Sequence, residues 1–385
     1  MSLRKNQKTR PHSLRVAIVH DWLVGGGAEL VVEQLHHLFP AAPIYTSYAT
    51  PEWRKRLDNT VVTGWLQPFG KVRKFLPILR IWWFTRLNLS EYDLVISSSG
   101  AEAKGIKVPK HTLHINYCHA PTHYYWSRYD EYMKRPGFGV FDPLARLGLW
   151  LFVKPLRRWD YKAAQRPDYL IANSTHIQSD IKKYYGRDSE VVHPPVYIER
   201  FQKPARRNAK RHGFVVSGRQ TPYKRFDIAV VACTKLGLPL TVIGNGPDHA
   251  RLRRLAGKSI TFLGKVSDKV LEEEFARAEG LIFPGLEDFG ITPVEAMAAG
   301  TPVIAYRAGG ALDFVKPGVT GAFFDTQNVL SLAKVLRTFK SDSYSSAAIR
   351  AYATKFSKEK FQSQVKSLTA KHLREFQSQQ RKNVK

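Results

Sequence analysis

The chain has 385 residues, 43% hydrophobic and 12% aromatic, which excludes a disordered basic tail protein and by length suits two domains better than one core. Lys and Arg number 60 against 32 Asp and Glu, and the net charge of +28 anticipates a polyanionic partner: a phospholipid surface, a nucleic acid or a phosphorylated substrate. The two cysteines, Cys118 and Cys233, lie in different halves without metal-ligand spacing, which argues against a disulfide framework or a zinc site and for a reducing compartment.

Residues 1–15 carry Arg4, Lys5, Lys8, Arg10 and Arg15 and no acid. The apolar run after them, 16–19, is too short for a signal-peptide core, and no stretch approaches the roughly 20 apolar residues that span a bilayer, so a cytoplasmic location is expected. Residues 14–20 read as a first strand, Gly25-Gly26-Gly27 as a glycine loop, and 28–39 as a helix. Strand, glycines and helix suit a phosphate cradle, because glycine lets backbone approach an anion that the helix N-terminus attracts; a tight turn is the other reading. Further strands at 43–47, 60–64, 92–97, 113–118 and 169–172 alternate with helical segments, which predicts an α/β fold with a doubly wound parallel sheet. Ser97 to Gly100 closes one strand with small residues, suited to a close approach or simply to a turn.

Residues 65–87 mix Lys71, Arg73, Lys74, Arg80 and Arg86 with Phe75, Leu79, Trp82, Trp83 and Phe84, and hold no acid. Such a segment either lies in a membrane interface or packs as a core helix; the missing acids and the adjacent tryptophans favour the interface. His119 follows the strand at 113–118, where an isolated histidine most simply reads as structural. Residues 138–166 form a second basic, aromatic stretch, with Trp150, Phe152, Lys154, Arg157, Arg158 and Trp159, and read as a long helix on an acceptor-side surface. Ser174 or Thr175 is expected to cap a helix closing at Gly186. A last strand at 191–196 leads into a linker at 194–212.

In the second half, the strand at 214–218 ends in Ser217-Gly218, and Arg219 and Lys224 follow on the loop and first turn. Two cations beside a positive helix end anticipate a diphosphate between them, the alternative being a solvated basic turn; Arg225 reads as solvent-facing. Gly244-Asn245-Gly246 follows a strand at 240–243 but lacks the third glycine of a dinucleotide fingerprint, and Pro247 suits a helix start. A strand at 260–264 is followed by Ser267 as a helix cap. After a buried strand at 280–283 comes Gly285-Leu-Glu287-Asp-Phe289-Gly290-Ile291-Thr292-Pro293-Val-Glu295, running to Gly300. Thr292 is expected to cap the helix, Pro293 to open it, Glu295 to close a capping box and Gly300 to end it. Glu287 and Glu295, seven residues apart, could both accept hydroxyls of a polyol in one crevice, or be a solvated acid and a capping partner. A strand at 302–306, the pair Gly309-Gly310, then Asp313, a turn at 318–321 and helices over 328–371 complete the chain, with Arg381, Lys382 and Lys385 expected to be disordered.

The E-x7-E pattern and its setting, Phe283 to Ala305, resemble the C-terminal signature of the retaining nucleotide-sugar glycosyltransferases of family 4. That resemblance implies a GT-B fold of two facing Rossmann-like domains with an interdomain cleft: 14–200 on the acceptor side, 201–355 for the nucleotide sugar, and 356–378 as a terminal helix returning to the first domain. By the same likeness, His119 in C-H-x-P contacts the donor sugar, Arg219 and Lys224 hold the diphosphate, Glu295 the ribose and Glu287 the sugar. Gly26, Gly27, Gly244, Phe289, Gly290, Ile291 and Thr292 join them as donor-binding positions. Glu29 matches the acid that follows the family's glycine loop, and Asp313 stands where family members carry Glu. The resemblance is strongest to bacterial mannosyltransferases of polysaccharide assembly, through H-D-W-L and C-H-A-P. It implies GDP-mannose as donor, with UDP-sugars second, a lipid-linked or glycan acceptor, and no metal or other cofactor. The +28 charge and residues 65–87 add an anionic membrane surface as partner, with the enzyme peripheral to the inner face.

The rival from another class is a non-catalytic nucleic-acid-binding protein, motivated by the pI near 10. The positive charge is dispersed, with no zinc finger, helix-turn-helix or RNP motif, so no nucleic-acid partner is expected. A sugar-nucleotide epimerase of the same fold is the third reading.

Overall fold

The structure is a computed structural model that describes residues 14–70, 72, 76–134, 139–201 and 211–383. The basic residues Arg4, Lys5, Lys8, Arg10, Lys71, Arg73, Lys74 and Lys385, with Phe75, Phe138 and residues 202–210 of the linker at 194–212, lie outside the described residues. The chain divides into two compact units, Met1–Ile171 with Leu368–Lys385, and Ala172–Ser367. Residues 172–200, grouped by sequence with the first half, thus fall in the second unit.

The first sheet has seven strands in the order β3-β2-β1-β4-β5-β6-β7. They are β1 Val16–His20, β2 Ile44–Thr46, β3 Val61–Thr63, β4 Leu94–Ser99, β5 Leu113–Cys118, β6 Tyr169–Ala172 and β7 Glu190–Val191. β1 is Val-Ala-Ile-Val-His with every side chain buried, as expected of a central strand covered on both faces. β7 keeps only Val191 of the strand expected at 191–196, because Pro194 and Pro195 have no N–H to give a ladder.

The second sheet has six strands in the order β10-β9-β8-β11-β12-β13, every ladder parallel. These are β8 Phe214–Ser217, β9 Leu240–Ile243, β10 Ile260–Gly264, β11 Gly280–Phe283, β12 Val303–Tyr306 and β13 Gly321–Phe324. Two apolar clusters cover its faces, one around Val215, Leu281, Met297 and Phe314, the other around Val216, Ile228, Val242 and Ile304. The alternate residues of β8 thus serve opposite faces, as a pleated strand dictates. Both sheets are Rossmann-like, and each reverses its strand order once: between β1 and β4, and between β8 and β11. Ligands of open α/β sheets bind at the C-terminal edge of such a reversal.

The segment 65–87 is split by the fold. Helix Pro77–Phe84 buries Arg80, Trp83 and Phe84, while Trp65 and Trp82 stay at the surface with ring centroids 5.6 Å apart. Arg80, grouped by sequence with interfacial cations, is instead buried, its Nη2 2.8 Å and Nε 2.9 Å from the Glu102 carboxylate. Helix Lys358–Asn383 takes in Arg381 and Lys382, correcting the expectation of disorder there.

Candidate functional site

At the reversal of the second sheet, the loop after β8 carries Arg219 and Lys224, and the loop after β11 carries Glu287. Gly218, at φ +139, donates its N–H to Ile243 O at 3.1 Å, and Gly244 donates to Gly264 O at 2.7 Å. A Cβ on Gly244 would stand 2.1 Å from Gly218 O, and one on Gly246 2.3 Å from Gln220 O. These glycines let three strand-end loops pack backbone to backbone and so hold Arg219 in place; the helix begins at His249 after Asp248, two residues beyond Pro247. Pro222–Lys224 is a short 3-10 turn ended by Arg225 in the left-handed region, φ 52, with Arg225 turned back onto Asp227 at 3.1 Å.

Lys224 Nζ lies 2.8 Å from both oxygens of Glu287, each side chain less than one-fifth exposed. The Glu287 loop is clamped from two sides. A Cβ on Gly285 would meet Lys224 Cα at 3.0 Å, and one on Gly309 or Gly310 would meet Glu287 O at 2.5 Å or Phe289 Cα at 2.2 Å. Gly310 N donates to Glu287 O at 2.9 Å. Arg219 is exposed.

Helix Ile291–Ala298 starts earlier than the capping-box reading requires. Gly290, at φ 110, turns the chain directly into it, so Thr292 and Pro293 are the second and third helical residues, and Glu295 the fifth, beyond reach of a cap. Gly290, without a side chain, makes no side-chain cap at this N-terminus. Gly300, at φ 88, does occupy the left-handed turn after the helix. Ile291 and Thr292 are half-buried. Phe289 is buried, its ring 5.4 Å from His193 and 5.7 Å from Phe314, so that side chain is part of the core. Freed from capping, Glu295 is pushed by burial to a pKa of about 7, with Arg200 opposing and Asp268 adding to the rise. Arg200 is itself held by Asp268 at 3.0 Å.

Asp313 binds protein groups. Its carboxylate accepts from Thr175 N at 2.9 Å, Thr175 Oγ1 and His193 Nε2 at 3.0 Å. Burial works to raise its pKa, but these hydrogen bonds outweigh it and hold the group below the usual carboxylate value. The helix it steadies, Thr175–Tyr185, is capped as expected by Ser174 Oγ, 3.1 Å from Ile177 N.

At the reversal of the first sheet, His119 follows β5, with Nε2 2.8 Å from Ser98 Oγ and its ring edge-on to His20 at 6.1 Å. Sequence reasoning missed the role of Asp21, the residue directly after β1. Its buried carboxylate accepts from Gly100 N at 2.8 Å, Ala101 N at 3.0 Å and Ala103 N at 2.8 Å. The glycine loop is likewise filled from within. Glu29 Oε1 accepts from Val24 N at 3.1 Å and Gly25 N at 3.0 Å, so the carboxylate occupies two amides that a phosphate cradle would need. Gly26 caps helix Gly27–Leu38 in extended backbone. Below lies a second unforeseen network. Lys104 Nζ is 2.7 Å from Asp160 Oδ1, and Asp160 also accepts from Thr122 Oγ1 at 2.8 Å and from the half-buried Trp126 Nε1 at 2.7 Å; Lys104, Thr122 and Asp160 are all buried.

Residues 25–200 match the model described as Glycosyltransferase Family 4, and residues 198–356 the model described as Glycosyl transferases group 1. A D-inositol 3-phosphate glycosyltransferase of Streptomyces bingchenggensis is 30% identical over 208 residues, 46% of this chain and 46% of that protein. One of the same description from Mycobacterium tuberculosis is 31% identical over 199 residues, 46% of this chain and 42% of that protein. The chain thus spans about half the length of the curated relatives it matches. Among solved structures, Anabaena HepE in complex with UDP superposes with a TM-score of 0.67 at 17% identity, covering 93% of this chain and all of that one. The lipopolysaccharide outer core galactosyltransferase WaaB gives 0.65 at 17% identity, again over 93% of this chain and 100% of that one. At these identities the likeness speaks for the GT-B fold alone.

Proposed function

For a chain that joins a family 4 glycosyltransferase domain to a group 1 glycosyltransferase domain, we propose transfer of a hexose from a nucleotide diphosphate sugar to a lipid-linked or glycan acceptor. The observation that carries this is Lys224 at 2.8 Å from Glu287 where the second sheet reverses, with Arg219 exposed on the same loop as Lys224. Arg219 and Lys224 neutralise the diphosphate as it leaves, the charge stabilisation otherwise asked of a metal. The N-terminus of helix Ile291–Ala298, which has no side-chain cap, adds backbone donors to that anion. Glu287, positioned by Lys224, accepts from sugar hydroxyls, Glu295 binds the ribose, and His119 keeps the sugar contact that the resemblance implies. The bond from the anomeric carbon to phosphate breaks, the bond to the acceptor oxygen forms on the same face, and the departing phosphate takes the acceptor's proton.

GDP-mannose is the first donor in this reading, on the C-H-A-P likeness at His119. The H-D-W-L motif supports it less, since Asp21 is engaged by backbone amides. UDP-sugars are the second reading, favoured by the fold neighbour that holds UDP. The test is nucleoside diphosphate release from a panel of GDP- and UDP-sugars, with and without a membrane lipid extract and with a chelator. One donor is expected to give lipid-dependent release that survives chelation and falls about a hundredfold or more in Lys224→Ala. No release from any donor, and no donor binding by calorimetry, would overturn the transferase reading.

A further inference from the structure

We infer that the first three turns of helix Asp142–Ala164 are a docking face that inserts into the interfacial region of an anionic bilayer. Leu144 is 67% exposed, Trp150 62%, and Leu147 and Leu151 52% each. The first buried side chain of the helix is Val153, twelve residues in by sequence number from 142 to 153. Leu144, Leu147 and Leu151 recur at three- and four-residue steps and share one stripe. The same stripe continues into Lys154, Arg158 and Lys162, all exposed. The helix's two acids, Asp142 and Asp160, project from the opposite side, Asp160 being buried against Lys104. An apolar stripe of this size running into cations, with no acid on its face, is not a surface a soluble protein leaves without a use.

A second patch of the same unit, Trp65, Phe69, Ile78 and Trp82, is also exposed, with the Arg86 guanidinium 4.2 Å over the Trp82 ring. The choice of occupant follows from charge. A second copy packed symmetrically on this stripe would bring Lys154, Arg158 and Lys162 into the interface with no acid on the stripe to meet them, whereas an anionic leaflet complements them and the net +28 of the chain. Among the described residues no helix is long and apolar enough to cross a membrane, so the helix lies along the surface. This inference stands on the helix and not on the transferase reading.

The test is co-sedimentation of the full chain at low salt with phosphatidylcholine vesicles and with phosphatidylcholine/phosphatidylglycerol vesicles, backed by sedimentation velocity without lipid. The chain is expected to bind the anionic vesicles. Arg158→Gln with Lys162→Gln should weaken binding about thirtyfold, from roughly 1 kcal/mol per basic side chain and 1.4 kcal/mol per tenfold. Leu144→Ser with Leu151→Ser should weaken it by about the same factor; since all four side chains are exposed, melting curves should match the wild type. Vesicle binding that is absent, or unchanged in both double variants, overturns the proposal. So does a concentration-dependent dimer lost in the leucine variant, which would make the occupant a second copy.

Discussion

Glu295→Gln is expected to stabilise the second unit at alkaline pH and to leave it unchanged in acid. Burial raises the Glu295 carboxyl from the ordinary 4.5 to about 7, so the folded unit binds this proton more tightly than the unfolded chain does. Stability from that proton is complete below the unfolded value and is lost as pH rises through about 7. Above that, a carboxyl displaced so far costs about 3 kcal/mol, which solvent reaching a half-buried side chain reduces to roughly 2 kcal/mol. Glutamine keeps the shape without the charge. Urea unfolding of both proteins at pH 5.0 and 8.5 reads the difference: the variant should gain roughly 2 kcal/mol at the higher pH and little at the lower. A variant that is less stable at pH 8.5, or a difference independent of pH, refutes the reasoning. Nucleoside diphosphate release should fall in the same variant, since the strain is held where the ribose is proposed to bind.

Asp160→Ala leaves the Lys104 ammonium buried beside Thr122 without its counter-ion, and should cost the first unit about 3–5 kcal/mol by denaturant titration. Asp313→Asn should destabilise the second unit at pH 7 but not in acid, because a depressed carboxyl contributes stability above its unfolded value near 3.8 and loses it as pH falls through the folded one. Gly244→Ala combines φ +102 with a Cβ 2.1 Å from Gly218 O, so the loop bearing Arg219 must shift; donor affinity should drop along with thermal stability.

The strands were legible because buried parallel strands are short apolar runs, and Leu113–Cys118 and Tyr169–Ala172 fall at the residues that sequence predicts. Ser174 and Ser267 were legible as caps because capping is a local bond to the next turn, and both make it. The Thr292 cap failed although its motif is complete. A single glycine at φ 110 started the helix two residues sooner, and that angle is not written in any spacing. The membrane-or-core question for 65–87 had no single answer, since neighbouring Trp82 and Trp83 point to solvent and to core. Asp21 and Asp313 were unreadable as structural acids for one reason: each satisfies backbone or side-chain donors that other loops bring to it.

The sequence by itself determined the two-part α/β architecture, the glycine-punctuated loops at the strand ends, the cations Arg219 and Lys224, and the excess of positive charge. Those are consequences of local pattern and composition. Tertiary structure alone decided that Lys224 closes on Glu287 and that Glu295 is held near neutrality rather than capping its helix. Partner and burial depend on which strand ends the sheet order brings together, and sheet order is a property of the fold and not of any segment.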